Sequence, residues 1–255
     1  MIVFCGARVI ASQPIVAERT MVLGPDSTPT TGGVTSSPGI VNLAKRWYFA
    51  EGTTRQPFEM AILVLNPSAQ AANVTVTHLT HSGTPVDRKY AIPPTTRLAI
   101  DVNEFVPQEG VATTVVADRP VAVERAMYWR NPAGNVLYGR INAGATAPAY
   151  LWRFADWRVA PEYQEYLLFN NPGGNPARVT VDFALPDGKK STRSVIMAAH
   201  SRYSMAIHEE SPGQVALMLT VQSTQPIVAE RALYAGAPGT DGNRGGDTAL
   251  GVPEE

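Results

Sequence analysis

A carboxylate can give or take a proton and a guanidinium can hold an anion, so adjacent Glu and Arg are the first residues in this chain to consider for chemistry. The chain writes the pair three times in one setting: Gln13-Pro14-Ile15-Val16-Ala17-Glu18-Arg19, Arg119-Pro120-Val121-Ala122-Val123-Glu124-Arg125 and Gln225-Pro226-Ile227-Val228-Ala229-Glu230-Arg231. Pro14, Pro120 and Pro226 stand 106 residues apart both times. A fixed period of this length marks tandem copies of one structural unit.

Strand periodicity separates the pair. Alternate side chains of a strand point to opposite faces. Val121, Val123, Arg125 and Met127 therefore share one face, and Ala122, Glu124, Ala126 and Tyr128 the other. Both faces are largely apolar, so each charge needs a partner from elsewhere. Arg97 and Arg202 recur with the glutamates, and the expected structural pairs are Glu124 with Arg97 and Glu230 with Arg202. No upstream arginine of that kind precedes Glu18. A structural role for these pairs outweighs a catalytic one, because ion pairs inside a fold are as often architectural as functional.

Other constellations are weaker. His78, His81, His200 and His208 do not recur between copies, and the chain has no Gly-x-Ser-x-Gly turn, so a nucleophilic triad is not expected. Carboxylates such as Glu51, Glu59, Asp101, Glu104, Asp156, Glu162 and Glu165 are plentiful, but their spacing selects no glycosidase pair. Asp241, Asn243 and Asp247 space oxygen donors in a Gly-rich turn, a weak calcium candidate without the closing Glu of an EF-hand. No metal or other cofactor is expected. Trp47 and Trp152 recur and read as core or unit-junction residues. Trp129 and Trp157 are less regular and are the candidate ligand-facing aromatics, for a sugar. Asn73-Val74-Thr75 is a glycosylation sequon, with meaning only in a host that reads it.

The elements between these residues are short and β-like. Phe58–Asn66, Asn73–Leu79, Arg88–Ile92, Arg97–Asn103, Val111–Ala117 and Val121–Trp129 are apolar or alternating runs separated by turn residues, and an aromatic strand opens the unit at Trp47. The same order returns from Trp152 at an offset of 105, and Asn171-Pro172 and Val179-Thr180-Val181 match Asn66-Pro67 and Val74-Thr75-Val76. Strands at this spacing predict an all-β fold of tandem immunoglobulin-like β-sandwiches, two complete units with partial terminal copies. Residues 1–46 are expected to hold the orphan end strands of a preceding repeat plus a connector. Residues 47–130 form repeat 1, 131–150 a connector, 151–235 repeat 2 and 236–255 a connector or tail.

The Trp-x-Phe-Ala-Glu/Asp start, the Leu-x-x-Asn-Pro turn before Val-Thr-Val, the Pro-Pro-x-x-Arg strand and the Val-x-Glu-Arg-x-Met-Tyr end resemble a tandem β-sandwich repeat of bacterial secreted and cell-surface proteins. That family has no established activity. Met197-Ala198-Ala199-His200 in place of Ile92-Pro93-Pro94-Thr95 departs from the pattern, as does Trp157 in place of Gly52. The resemblance implies an extracellular or cell-surface home, although no export signal is visible between Met1 and Ala11.

Composition agrees with a protein of this kind. The 255 residues carry a net charge of −1, leaving no cationic excess to bind nucleic acid. No run is long enough for membrane insertion as a helix, and Cys5 is the single cysteine. The expectation is a non-catalytic stalk, spacer or adhesive module that partners other repeats or copies of itself. A module binding cell-surface polysaccharide is the alternative. Assembly by strand donation is a further one, since residues 1–22 form strands without a sandwich of their own; they could instead fold back onto the first unit, or the chain could be a piece of a longer protein.

Overall fold

The computed structural model describes residues 6–23, 33–81, 84–130, 133–155, 163–184, 188–210, 218–235 and 245–254. The chain is all-β. A short hairpin, β1 (Glu18–Val22) and β2 (Val34–Pro38), leads into a first body of β3 (Ala44–Phe49), β4 (Phe58–Asn66), β5 (Ala72–Leu79), β6 (Val86–Ile92), β7 (Thr96–Asp101), β8 (Ala112–Arg130) and β9 (Val136–Ala143). The second body holds β10 (Ala149–Phe154), β11 (Tyr163–Asn171), β12 (Ala177–Ala184), β13 (Lys190–Met197), β14 (Ser201–Ala206), the single-turn α1 (Ile207–Glu210), β15 (Met218–Ala235), β16 (Gly245–Leu250) and β17 (Val252–Glu254).

In each body one long strand serves two sheets. The first half of β8 lies between β3 and β5, with β6 beyond. Its second half lies between β4 and β9, with β7 beyond. β15 repeats this, joining β13-β12-β15-β10-β17 to β14-β11-β15-β16. The expected separate strands 111–117 and 121–129 are thus one strand that turns a corner and switches sheets. Proline explains the place: Pro120 has no N–H to give to a ladder, so the corner falls where no ladder bond is lost. The β5 ladder ends at Ala117 and the β4 ladder begins at Ala122. The recurrent tryptophans brace this corner. Trp47 Nε1 donates to the Val121 carbonyl at 3.0 Å and Trp152 Nε1 to that of Ile227 at 2.9 Å, each carbonyl one residue past the corner proline.

The layers are sandwich-like and each body has its own core. Inward residues alternate along β5 (Ala72, Val74, Val76, His78) and along β12 (Ala177, Val179, Val181, Phe183). The first core gathers Trp47, Phe49, Met60, Ile62, Val76, Val115 and Val123, among others. The second gathers Trp152, Phe169, Val181, Phe183, Val221 and Ala229. The stretches expected to be connectors contain β2, β9 and β16, and these are the strands that pair the ends of β1, β8 and β15. Their Gly and Pro content masks a strand pattern that pairing enforces.

The turn after β4 also recurs. Asn66 Nδ2 donates to the carbonyls of Gln70, Ile92 and Pro93. Asn171 Nδ2 donates to those of Asn175 and Ala198. One buried amide thereby ties two loops at the same end of each body.

Candidate functional site

The largest concentration of buried charge lies where the two bodies meet, and the repeated motif builds it. Glu124 and Arg125 face apart on β8, as alternation requires. Glu124 looks back to the hairpin: Arg19 Nη1 and Nη2 donate to its two oxygens at 3.0 and 2.9 Å, and Arg19 Nη2 also donates to Ser37 Oγ at 2.7 Å. Arg125 reaches forward to the second body, where its Nη1 donates to Glu230 Oε2 at 2.6 Å. The arginine of each of the first two motif copies holds the glutamate of the next copy, 105 residues on.

This corrects the expected partners. Glu124 pairs with Arg19 rather than Arg97, and Glu230 with Arg125 rather than Arg202. The reason is strand order. Arg97 on β7 lies opposite Leu65 of β4, and Leu65 in turn lies opposite Ala122 of β8. A whole strand therefore separates Arg97 from Glu124. In the second body Asn170 of β11 stands in the same way between Arg202 and Val228.

The forward pair sits in a dense network. Arg125 Nη1 also donates to the Glu51 carbonyl at 2.6 Å, and the Glu51 N–H donates to Glu230 Oε2 at 2.7 Å. Arg125 Nη2 donates to Asn142 Oδ1 and Thr248 Oγ1. The Tyr234 hydroxyl donates to Glu51 Oε1 at 2.7 Å. The Arg125 guanidinium lies 5.5 Å from the centre of the Phe49 ring, within reach of a cation–π contact. Burial pushes the Glu230 carboxyl up from its ordinary range while the Arg125 charge pulls it down. Burial, then the Glu51 carboxylate, drives the Tyr234 phenol well above its usual value. Arg202 is buried beside this network and its guanidinium is pushed down by that burial. A methyl group on Gly110 would lie 2.1 Å from Arg202 Nη1, so a glycine is what lets the second body approach the first there.

Among the described residues, Glu51 Oε2, Glu230 Oε1 and Arg202 Nε have no hydrogen-bond partner. Two carboxyls, a phenol and two guanidiniums are the makings of acid–base chemistry, and they are buried. Arg125, Glu230 and Glu51 are 1%, 0% and 3% exposed. The cleft on this junction, lined by Phe58, Trp129, Tyr138, Arg140 and Tyr234, offers about 30 Å³, room on the scale of one or two waters. The arrangement locks two bodies together.

The rest of the junction does the same work. Tyr138 of β9 donates its hydroxyl to the Gly246 carbonyl at 2.7 Å. Its ring passes Gly33 so closely that a Cβ there would sit 2.2 Å away, and Gly245 flanks it too. That close approach accounts for Gly33 and Gly245, which stand 14 residues after Arg19 and Arg231. Arg140 pairs with Asp247. The Asp247 carboxylate of the calcium candidate is therefore engaged by a cation, while Asp241 and Asn243 lie outside the described residues. Among the described residues no cluster of three or more His, Cys, Asp or Glu could hold a metal. Trp129 packs on Phe58 with ring centres 4.7 Å apart and lines the small cleft, while Trp157 lies outside the described residues. No helix among the described residues is long and apolar enough to cross a membrane.

Sequence reasoning missed the motif-to-motif pairing and the role of Glu51. The signal for the first was present in the motif: adjacent charges that face apart, recurring at one period, can satisfy each other only between copies.

No protein-family model matches this sequence, and no curated protein does. Among solved structures, Thermotoga maritima 1070 aligns at 15% identity over 41% of this chain and 96% of its own, with a TM-score of 0.38. The Anabaena sensory rhodopsin transducer aligns at 19% identity over 34% of this chain and 99% of its own, with a TM-score of 0.31. The Amycolatopsis orientalis exo-chitosanase CsxA aligns at 12% identity over 80% of this chain and 24% of its own, with a TM-score of 0.19. Likeness at these scores transfers no activity to this chain.

Proposed function

We propose that this chain is a non-catalytic structural module, a run of immunoglobulin-like sandwich repeats acting as a stalk, spacer or adhesive arm of a bacterial secreted or cell-surface protein. The observation that carries the reading is the Arg125–Glu230 pair, buried between two bodies 105 residues apart. A spacer must hold consecutive units in one relation, and a buried pair with bonds to both bodies supports that. The recurring residues favour the same reading: Trp47 and Trp152, Pro120 and Pro226, Asn66 and Asn171 all serve the fold. Binding to polysaccharide draws no support from Trp129, whose ring is packed on Phe58.

The test is small-angle X-ray scattering of the purified protein from low to 1 M salt, with antibody labelling of intact cells of the source organism. One fixed maximum dimension across salt, with label at the cell surface, is the expected result. A broad range of inter-body distances, or label confined to the cell interior, would overturn the proposal.

A further inference from the structure

The segment ahead of β1 corresponds through the period to the first half of the long shared strand of each body, but no sheet among the described residues covers it. Val9, Ile15 and Val16 correspond through the period to Val115, Val121 and Ala122 in the first body, and to Val221, Ile227 and Val228 in the second. Val115, Val121, Val221, Ile227 and Val228 are all 0% exposed, whereas Val9, Ile15 and Val16 are 65%, 59% and 90% exposed. Ile10 is 78% exposed. Residues 6–17 form no strand.

Downstream of this segment the docking geometry is already in place. β1 pairs with β2 as the second half of β8 pairs with β9. Arg19 holds Glu124 as Arg125 holds Glu230. Met21 and Leu23 pack against the buried cluster of Ala61, Ala126, Tyr128 and Ile141 in the first body. Among the described residues β1 pairs with β2 alone, whereas β8 and β15 have β4 and β11 on their other edge.

We infer that residues 6–22 are a donor strand for a further repeat body, one made of the equivalents of β3 to β7. The inference rests on the reading of the two bodies as copies of one repeat. The partner's chemistry follows from the internal copies. Val115 lies between Trp47 and Val76, and Val221 between Trp152 and Val181, so Val9 takes a place between a tryptophan and a valine. The carbonyls of Val121 and Ile227 receive an indole N–H, and Ile15 holds that position in the donor. The row Val9, Ala11, Ile15 and Ala17 faces the partner's core, as 115, 117, 121 and 123 do in the first body. A second copy of this chain is not the occupant, because both of its bodies already hold their own long strand in that lane. Strand addition of this kind supplies main-chain bonds for affinity and side-chain pockets for register.

The test joins a further copy of residues 44–106 to the N-terminus of the full chain and follows amide hydrogen exchange. In the joined protein the amides of Val9, Ile10, Ile15 and Val16 should exchange about a hundredfold more slowly than in the unjoined chain, approaching Val115 and Val121 in the same molecule. Val9→Asp with Ile15→Asp should abolish that protection and leave the internal copies protected, since both side chains are exposed in the unjoined chain. Unchanged exchange at residues 9–16, with Val115 and Val121 protected as internal standards, would overturn the inference. So would protection of residues 9–16 in the unjoined chain at high concentration, which would make a second copy the occupant. Neither result touches the scattering test of the stalk, so the two readings fail separately.

Discussion

One motif makes two ion pairs in this molecule, and they differ in how much water reaches them. At the hairpin, Arg19 and Glu124 keep side-chain exposures of 38% and 21%. Between the bodies, Arg125 and Glu230 are at 1% and 0%. The first pair is screened and adds little. The second has surrendered its hydration, and hydrogen bonds surround it in exchange: the Glu51 N–H donates to Glu230, and Arg125 donates to the Glu51 carbonyl, Asn142 Oδ1 and Thr248 Oγ1. The same two residue types therefore act as a weak latch in one place and an obligatory lock in the other.

The sharpest way to break this contrast is Arg125→Met. It strands the Glu230 carboxyl in a closed site, and the expected loss is about 3–5 kcal/mol, read by urea unfolding. Adding Glu230→Met to that variant should recover most of the loss, because the stranded charge goes with it. If Arg125→Met costs no more than the matching change at Arg19, the contrast falls.

The cores offer a second comparison of the two bodies. His78 faces Thr113 across β5 and β8, with its Nδ1 3.1 Å from the hydroxyl. At the same places the second body has Phe183 facing Leu219. Burial lowers the His78 pKa from 6.5 to about 4, with the Arg88 charge adding to the effect. The folded protein thus keeps this imidazole neutral where the unfolded chain protonates it. Stability contributed by the neutral form is present above pH 6.5 and is lost as pH falls from 6.5 towards 4, by about 3 kcal/mol. His78→Phe, which copies the second body, should flatten that part of the pH profile. A profile unchanged by the substitution would assign the acid loss to other groups.

Asn66→Ala should cost about 2 kcal/mol, because three carbonyls lose their shared donor. Asn171→Ala, with two such bonds, should cost less. Unfolding midpoints of the two variants give the comparison directly. Arg19→Met should have the smallest effect, under about 1 kcal/mol and shrinking as salt is added. A large, salt-insensitive loss there would mean that the hairpin is held as firmly as the second body.

Much of the fold was legible in the residues. Alternation in Val74-Thr75-Val76 and Val179-Thr180-Val181 marked strands, Asn66-Pro67 and Asn171-Pro172 marked turns, and Trp47 and Trp152, which read as core or unit-junction residues, lie in the core. The shared strand was not legible, because Pro120 looks like a break in a sequence and acts as a corner in a sheet. Nor were the strands β2, β9 and β16, which lie in Gly- and Pro-rich stretches that read as connectors before pairing orders them. The junction was half legible: Glu124 and Arg125 had to face apart, and both had to find partners.

The sequence by itself determined the period, the all-β class and the opposition of each motif's two charges. These follow from local geometry, since side-chain direction alternates along a strand whatever surrounds it. Tertiary structure alone decided which arginine each glutamate meets. That choice depends on β4 and β11 lying between the candidate strands and on one body pressing its outer face to the next. Both are contacts between residues far apart in the chain, and no local rule reaches them.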